Sequence, residues 1–259
     1  MTDMDVNPVA ELHAPAPGLS QMQRVTYTFS APSKTFEDIK RGNKSWWLPL
    51  LIAAVVGYLF FAVVVSKIGM QTVVDNQMKL ASESQQEQMA KATPEQREMQ
   101  AKIALYVTEG VFIASPLFVL AAAAVVSLVL WGTINFAFGG KAKFGAIFAM
   151  WFFANLPLNL KTLLGILVIF ISNTPETFNI KNFAPTNLAA FVFPNPVEAN
   201  KALYAIASSL DFVTIWCLVL MSIGLAAVAG VKRSSGYIAV FGWWIIVVLV
   251  GAGFAAIQG

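Results

Sequence analysis

Two ionisable side chains, Lys161 and Asp211, lie within or beside long uncharged runs. A charge in lipid is costly, which makes such residues candidate functional groups. Asp211 opens one run and Lys161 stands toward the far end of another. The two can pair across a helix interface, as a structural ion pair or as gating or coupling charges of a small transporter or channel. In the alternative, each reaches the headgroup region by snorkelling. Other chemistry does not assemble. The single histidine, His13, sits in an N-terminal stretch with Pro8, Pro15 and Pro17, which excludes histidine triads and histidine-metal sites. The single Cys217 excludes an intrachain disulfide and a cysteine zinc site, and within an apolar run it reads as a small packing residue. Hydroxyls in the runs (Ser115, Ser127, Ser172, Thr214) are isolated, paired carboxylates are absent there, and neither a P-loop nor a dinucleotide fingerprint occurs. No catalytic, cofactor-binding or metal-ligating residue is therefore assigned, and the chain is not expected to be an enzyme. Asn135, Asn155 and Asn159 suit interhelical hydrogen bonding, while Ala121 to Ala124 and Gly224, Ala226, Ala227 and Gly230 suit close helix approach.

The elements that would carry these residues are membrane helices. Of 259 residues, 57% are hydrophobic and 12% charged, where a soluble domain carries roughly a quarter charged. A bilayer core needs about 20 apolar helical residues. Predominantly apolar runs of that order predict five spans, at about 46–66, 110–138, 144–172, 210–230 and 236–257. Trp46 and Trp47 stand where an interfacial aromatic belt belongs, and Pro49 falls in the first turn, where a missing N–H costs little. The second run exceeds a bilayer core and must tilt or protrude. The third contains Asn155, Pro157, Asn159 and Lys161; its length allows one helix kinked at Pro157, the preferred reading, or a re-entrant pair. The fold class is thus all-α, a polytopic membrane protein with about five transmembrane helices.

Between the first two spans, residues 67–109 are rich in Gln and almost free of Gly and Pro. Thr93-Pro94-Glu95-Gln96 reads as a helix start with Thr93 as N-cap and Gln96 closing a capping box. The expectation is an extracytoplasmic helical hairpin, solvated rather than ligand-binding. Residues 173–201, with Pro175, Pro185, Pro194 and Pro196 and with Asn179, Asn182, Asn187 and Asn195, read as a loop whose apolar patch Leu188 to Phe193 rests at the interface.

Five spans put the termini on opposite sides. With the N-terminus cytoplasmic, nine basic residues (Arg24, Lys34, Lys40, Arg41, Lys44, Lys141, Lys143, Lys232, Arg233) fall inside, and both compact turns are basic. The outside loops mix their basic residues with eight acidic ones. The positive-inside rule then gives a cytoplasmic N-terminus and an extracytoplasmic C-terminus. No signal peptide is expected, because the first 30 residues lack an apolar core. Residues 1–30 read as a disordered cytoplasmic tail. Residues 31–44 read as a short amphipathic helix in the interface, with Phe29, Phe36 and Ile39 on one face, or as an ordinary basic flank. A formal charge of +3, tied to membrane edges, does not suggest a nucleic-acid partner.

Ala31 to Lys40 (Ala-Pro-Ser-Lys-Thr-Phe-Glu-Asp-Ile-Lys), followed by Ser-Trp-Trp-Leu-Pro-Leu-Leu at 45–51, resembles the opening of the Yip1-domain family, particularly its bacterial members. Phe-Gly-Gly at 138–140, Asn-Leu-Pro at 155–157, Leu-Asp-Phe-Val-Thr-Ile-Trp at 210–216 and Ser-Ile-Gly-Leu-Ala at 222–226 are similar to later stretches of that family. The resemblance implies five spans with a cytoplasmic N-terminus, and it makes Trp46, Trp47, Pro49, Gly139, Gly140, Pro157, Trp216 and Gly224 candidate functional or packing positions beside Asp211 and Lys161. For eukaryotic members it implies Golgi and endoplasmic-reticulum trafficking, with contacts to Rab-type GTPases and partner membrane proteins; a bacterial member would sit in the plasma (inner) membrane. The Asp-Leu-Tyr-Gly-Pro run typical of the eukaryotic branch does not occur here, which argues against a GTPase partner. The expected role is non-enzymatic: organising lipids or partner membrane proteins, with the bilayer, a membrane protein or a second copy of the chain as partner.

Overall fold

The computed structural model describes residues 18–172, 175–193, 195–196 and 199–258. His13 and the proline-rich stretch around it, and also Asn173, Pro194 and Gly259, lie outside the described residues. Helices α1 (Gln21–Ser30) and α2 (Pro32–Arg41) come first. Residues 21–30 were expected to be disordered and are instead helical, because Ser20 and Gln23 form a capping box that satisfies two orphan N–H groups. Pro32 starts α2 at a position that needs no N–H, and Gly42, at φ +129°, ends it.

The apolar face of α2 was expected to lie on lipid. It lies on protein: Phe36 and Ile39 are 0% exposed and belong to the main core with Met150, Phe153 and Leu225. Fully burying a phenylalanine is worth about 1.5–3 kcal/mol. Gly224 makes this possible, since a Cβ there would stand 3.0 Å from Phe36 Cδ1 and 2.6 Å from Met150 Cγ.

The first span is α3 (Trp47–Lys67). After Gly69, whose φ is +82°, come α4 (Met70–Lys79), α5 (Glu83–Lys91) and α6 (Pro94–Ile113). The capping box expected at Thr93 is present, with Thr93 N–H donating to Gln96 Oε1 at 2.9 Å. The long apolar run 110–138 is divided. A turn at Ala114 ends α6 and α7 (Ser115–Gly132) starts anew, with Pro116 withholding the N–H that would continue the earlier helix. A π-helical turn, Thr133–Ala137, completes an apolar segment of 23 residues, Ser115–Ala137, long enough to cross a membrane.

The third span consists of α8 (Phe144–Ala154) and α9 (Leu158–Ser172), interrupted at Asn155–Pro157. Its halves follow α3 in one direction. Trp46, at the start of α3, stacks on Phe152 of α8 (5.3 Å, 19°), and Lys67, at its end, lies 5.1 Å over the Phe170 ring of α9. One kinked crossing matches that order, whereas a re-entrant pair would return to its starting end. The connection that follows carries the short α10 (Ala189–Val192) and α11 (Lys201–Ser209). The last spans are α12 (Phe212–Ala229), ended by Gly230 at φ +70°, and α13 (Arg233–Gln258). Among the described residues, five helical segments are thus long and apolar enough to cross a membrane. Among the described residues the only β-type feature is one isolated bridge, Asn187 to Asp211.

Candidate functional site

Lys161 and Asp211 meet. Lys161 Nζ donates to Asp211 Oδ2 at 2.9 Å, with the two side chains 19% and 1% exposed. Asp211 is also the N-cap of α12: its Oδ1 accepts the Thr214 N–H at 2.8 Å, which satisfies an orphan donor and sets a negative charge on the positive end of the helix dipole. The Thr186 hydroxyl donates to Oδ2 as well. Backbone bonds beside it, Phe212 N–H to Thr186 O and Leu188 N–H to Leu210 O, both 3.0 Å, stitch the α9–α11 connection onto the head of α12. Both carboxylate oxygens are therefore engaged, and Lys161 is additionally 5.8 Å over the Phe183 ring. The chemistry of this group is that of a clamp.

A second buried charge sits at the other end. Arg24 is 0% exposed, 4.8 Å over the Phe153 ring, with Nε 3.7 Å from Asp38 Oδ2 and Nη1 donating to Asn43 O at 2.9 Å. Burial lowers its pKa and Asp38 offsets part of that shift. Asn43 Nδ2 donates to Asp38 Oδ2 (2.9 Å) and to Leu19 O (3.2 Å), and the Leu19 N–H reaches Asp38 Oδ1 at 2.9 Å. Sequence reasoning counted Arg24 only as a flanking charge. The usable signal was Ser20-x-x-Gln23, a capping-box pattern that places Arg24 in the first turn of a helix.

Gly139 and Gly140 form the turn between α7 and α8. Gly139 has φ +66°, and a Cβ on Gly140 would stand 2.9 Å from Ile134 O. The turn is pinned on three sides. Asn135 exchanges a pair of bonds with Ala142 (3.0 and 2.9 Å), Trp131 Nε1 donates to Ala142 O at 3.0 Å, and Lys141 N–H donates to Ala229 O at 3.2 Å.

Gly224 seats Phe36 as described above. Trp46 joins the α8 aromatics, Trp47 is exposed, Pro49 is buried in the first turn of α3, and Pro157 marks the break in the third span. Trp216 meets Phe29 edge-on at 5.8 Å. The candidate residues are thus spread along the bundle and do not converge on one centre. Among the described residues no group of three or more His, Cys, Asp or Glu could hold a metal ion.

No curated protein and no solved structure matches the chain. A family model, described as the Yip1 domain, matches residues 26–255. The match runs from within α1 to the last turns of α13 and takes in Lys161 and Asp211 together with Asp38 and Asn43, starting two residues after Arg24, and the chain belongs to the Yip1 domain family.

Proposed function

We propose that this chain is a non-enzymatic integral membrane protein that organises lipids or partner membrane proteins, with its N-terminal, basic end facing the cytoplasm. The observation that carries the choice between organiser and transporter is the saturation of Asp211. A coupling carboxylate must exchange its partners during transport, whereas this one caps a helix, binds Lys161 and holds Thr186 at the same time. Opening it would leave a buried charge unpaired, which is strongly unfavourable. The orientation is supported by Lys40, Arg41, Lys44, Lys141, Lys143, Lys232 and Arg233, which lie where α3 begins and α12 ends.

The test is a pair of substitutions, Asp211→Asn and Lys161→Met, in the full chain reconstituted into vesicles. A wild-type chain whose solute flux stays at the level of empty vesicles, together with variants that lose oligomer or partner association, supports the organiser reading. A wild-type chain that conducts ions or solutes, together with folded variants that do not, contradicts it.

A further inference from the structure

The end of the bundle where α3 begins holds a cavity of about 580 Å³ walled by four parts of the chain. The end of α2 and the loop beyond it contribute Lys40, Arg41 and Lys44. The α7–α8 turn contributes Lys141 and Lys143, the first half of α8 adds Ala146, and the end of α12 closes the wall with Val228, Ala229 and Gly230. Five cations and no acidic residue line it. Among the described residues none of the five has a carboxylate within 4.0 Å. Gathering like charges without counterions is unfavourable by itself, so the arrangement needs something to hold it.

Both loops that carry the charges are fixed from behind. The 42–45 loop is anchored by the buried Arg24, which donates to Asn43 O, and by the Asn43 bonds to Asp38 and Leu19. The 139–143 turn is anchored by Asn135, Trp131 and the Ala229 carbonyl. Small residues bring the charges close: Lys44 Cδ would lie 3.4 Å from a Cβ on Gly145, and Lys40 Nζ 3.6 Å from one on Gly230. The buried networks therefore hold a cationic cup open, and a pre-formed cup needs little reorganisation on binding.

From this we propose that the cup binds a phosphate-bearing group carrying more than one negative charge. Lysines serve such a group as point charges and Arg41 can grip two of its oxygens. Basic pockets at the ends of membrane helices suit anionic headgroups, and a soluble polyphosphate offers the same chemistry. The inference rests on the reading of the chain as an organiser and names the ligand it would gather.

The test uses the full chain purified in mild non-ionic detergent, titrated with dioctanoyl phosphatidic acid and, separately, with pyrophosphate, and followed by native mass spectrometry. Lys141→Gln with Lys143→Gln should weaken binding by about 25-fold, about five-fold for each lysine. Lys141→Arg with Lys143→Arg should retain it. Lys232→Gln with Arg233→Gln removes the same charge at the same end but outside the cup, and should leave binding unchanged. Hydrogen–deuterium exchange on the wild-type chain gives a readout that needs no variant: added ligand should protect 40–45 and 139–146. Tight binding of the lipid but not of pyrophosphate assigns a headgroup, and tight binding of pyrophosphate but not of the lipid assigns a soluble source; either supports the site. No binding of either probe, equal loss in the two glutamine pairs, or protection elsewhere overturns it. Because these readouts concern binding alone, a failure here is distinguishable from the appearance of solute flux, which would overturn the organiser reading instead.

Discussion

Asp211 Oδ2 and Lys161 Nζ lie 2.9 Å apart although 50 residues separate them in the chain. One group caps α12 and the other belongs to α9, so a single ion pair couples the third span, the fourth span and the loop between them. At the opposite end, Arg24 and Asp38 couple the two N-terminal helices to each other and to the loop that leads into α3. The protein thus uses buried charge to fasten both ends of an otherwise apolar bundle.

Removing one member of a buried pair leaves the other uncompensated, at about 3–5 kcal/mol. Asp211→Ala should therefore lower the detergent melting temperature sharply. Lys161→Met combined with Asp211→Leu should lose less than the sum of the single changes, because no buried charge remains. A thermal-unfolding series in one detergent checks this, and strictly additive losses would contradict it.

Gly236 has no room for a side chain, since a Cβ would stand 2.2 Å from Ser222 O, a backbone atom that can move only with α12. Gly236→Ala should separate α12 from α13 and destabilise the fold. Gly242→Ala, on the same helix, meets nothing within 4 Å and should be neutral or stabilising by up to about 1 kcal/mol. The same melting assay reads both.

Arg24→Met keeps the apolar stem and removes the charge that holds Asn43 and faces Asp38. The expected result is a bundle that still folds but whose α1–α2 segment is cut early by protease, with raised hydrogen exchange over 19–45. An unchanged cleavage pattern would show that the network does not hold this segment.

Orientation is testable with cysteine reporters, because the native Cys217 is 3% exposed and gives little background. Lys141 and Pro185 are both exposed. With the proposed topology, Lys141→Cys should label only after the membrane is permeabilised, and Pro185→Cys should label in intact cells. Labelling of position 141 from outside would reverse the assignment.

Much of this fold was legible in sequence, and the rest was hidden for definite reasons. Apolar length locates the spans, and Thr93-Pro94-Glu95-Gln96 marks the start of α6, because both signals are local. The division of the 110–138 run depends on Pro116, a single residue inside a uniformly apolar stretch that hydropathy alone passes over. Phe36 and Ile39 have the pattern of a lipid-facing stripe; only the notch at Gly224, 188 residues beyond Phe36, shows that protein fills that role. Lys161 and Asp211 could be singled out from sequence because charge is rare in apolar runs. Ser20-x-x-Gln23 places Arg24 on a helix but does not reveal its burial, because a flanking arginine ordinarily faces water.

The organiser role is tested most directly by purification of the full chain from its native membrane in mild detergent, with mass spectrometry of the lipids and proteins that accompany it. The expected result is an anionic lipid, a recurring membrane protein or a second copy of the chain, enriched above the level found with an unrelated five-span protein treated identically. A monodisperse single chain carrying no enriched lipid or protein would contradict the organiser reading.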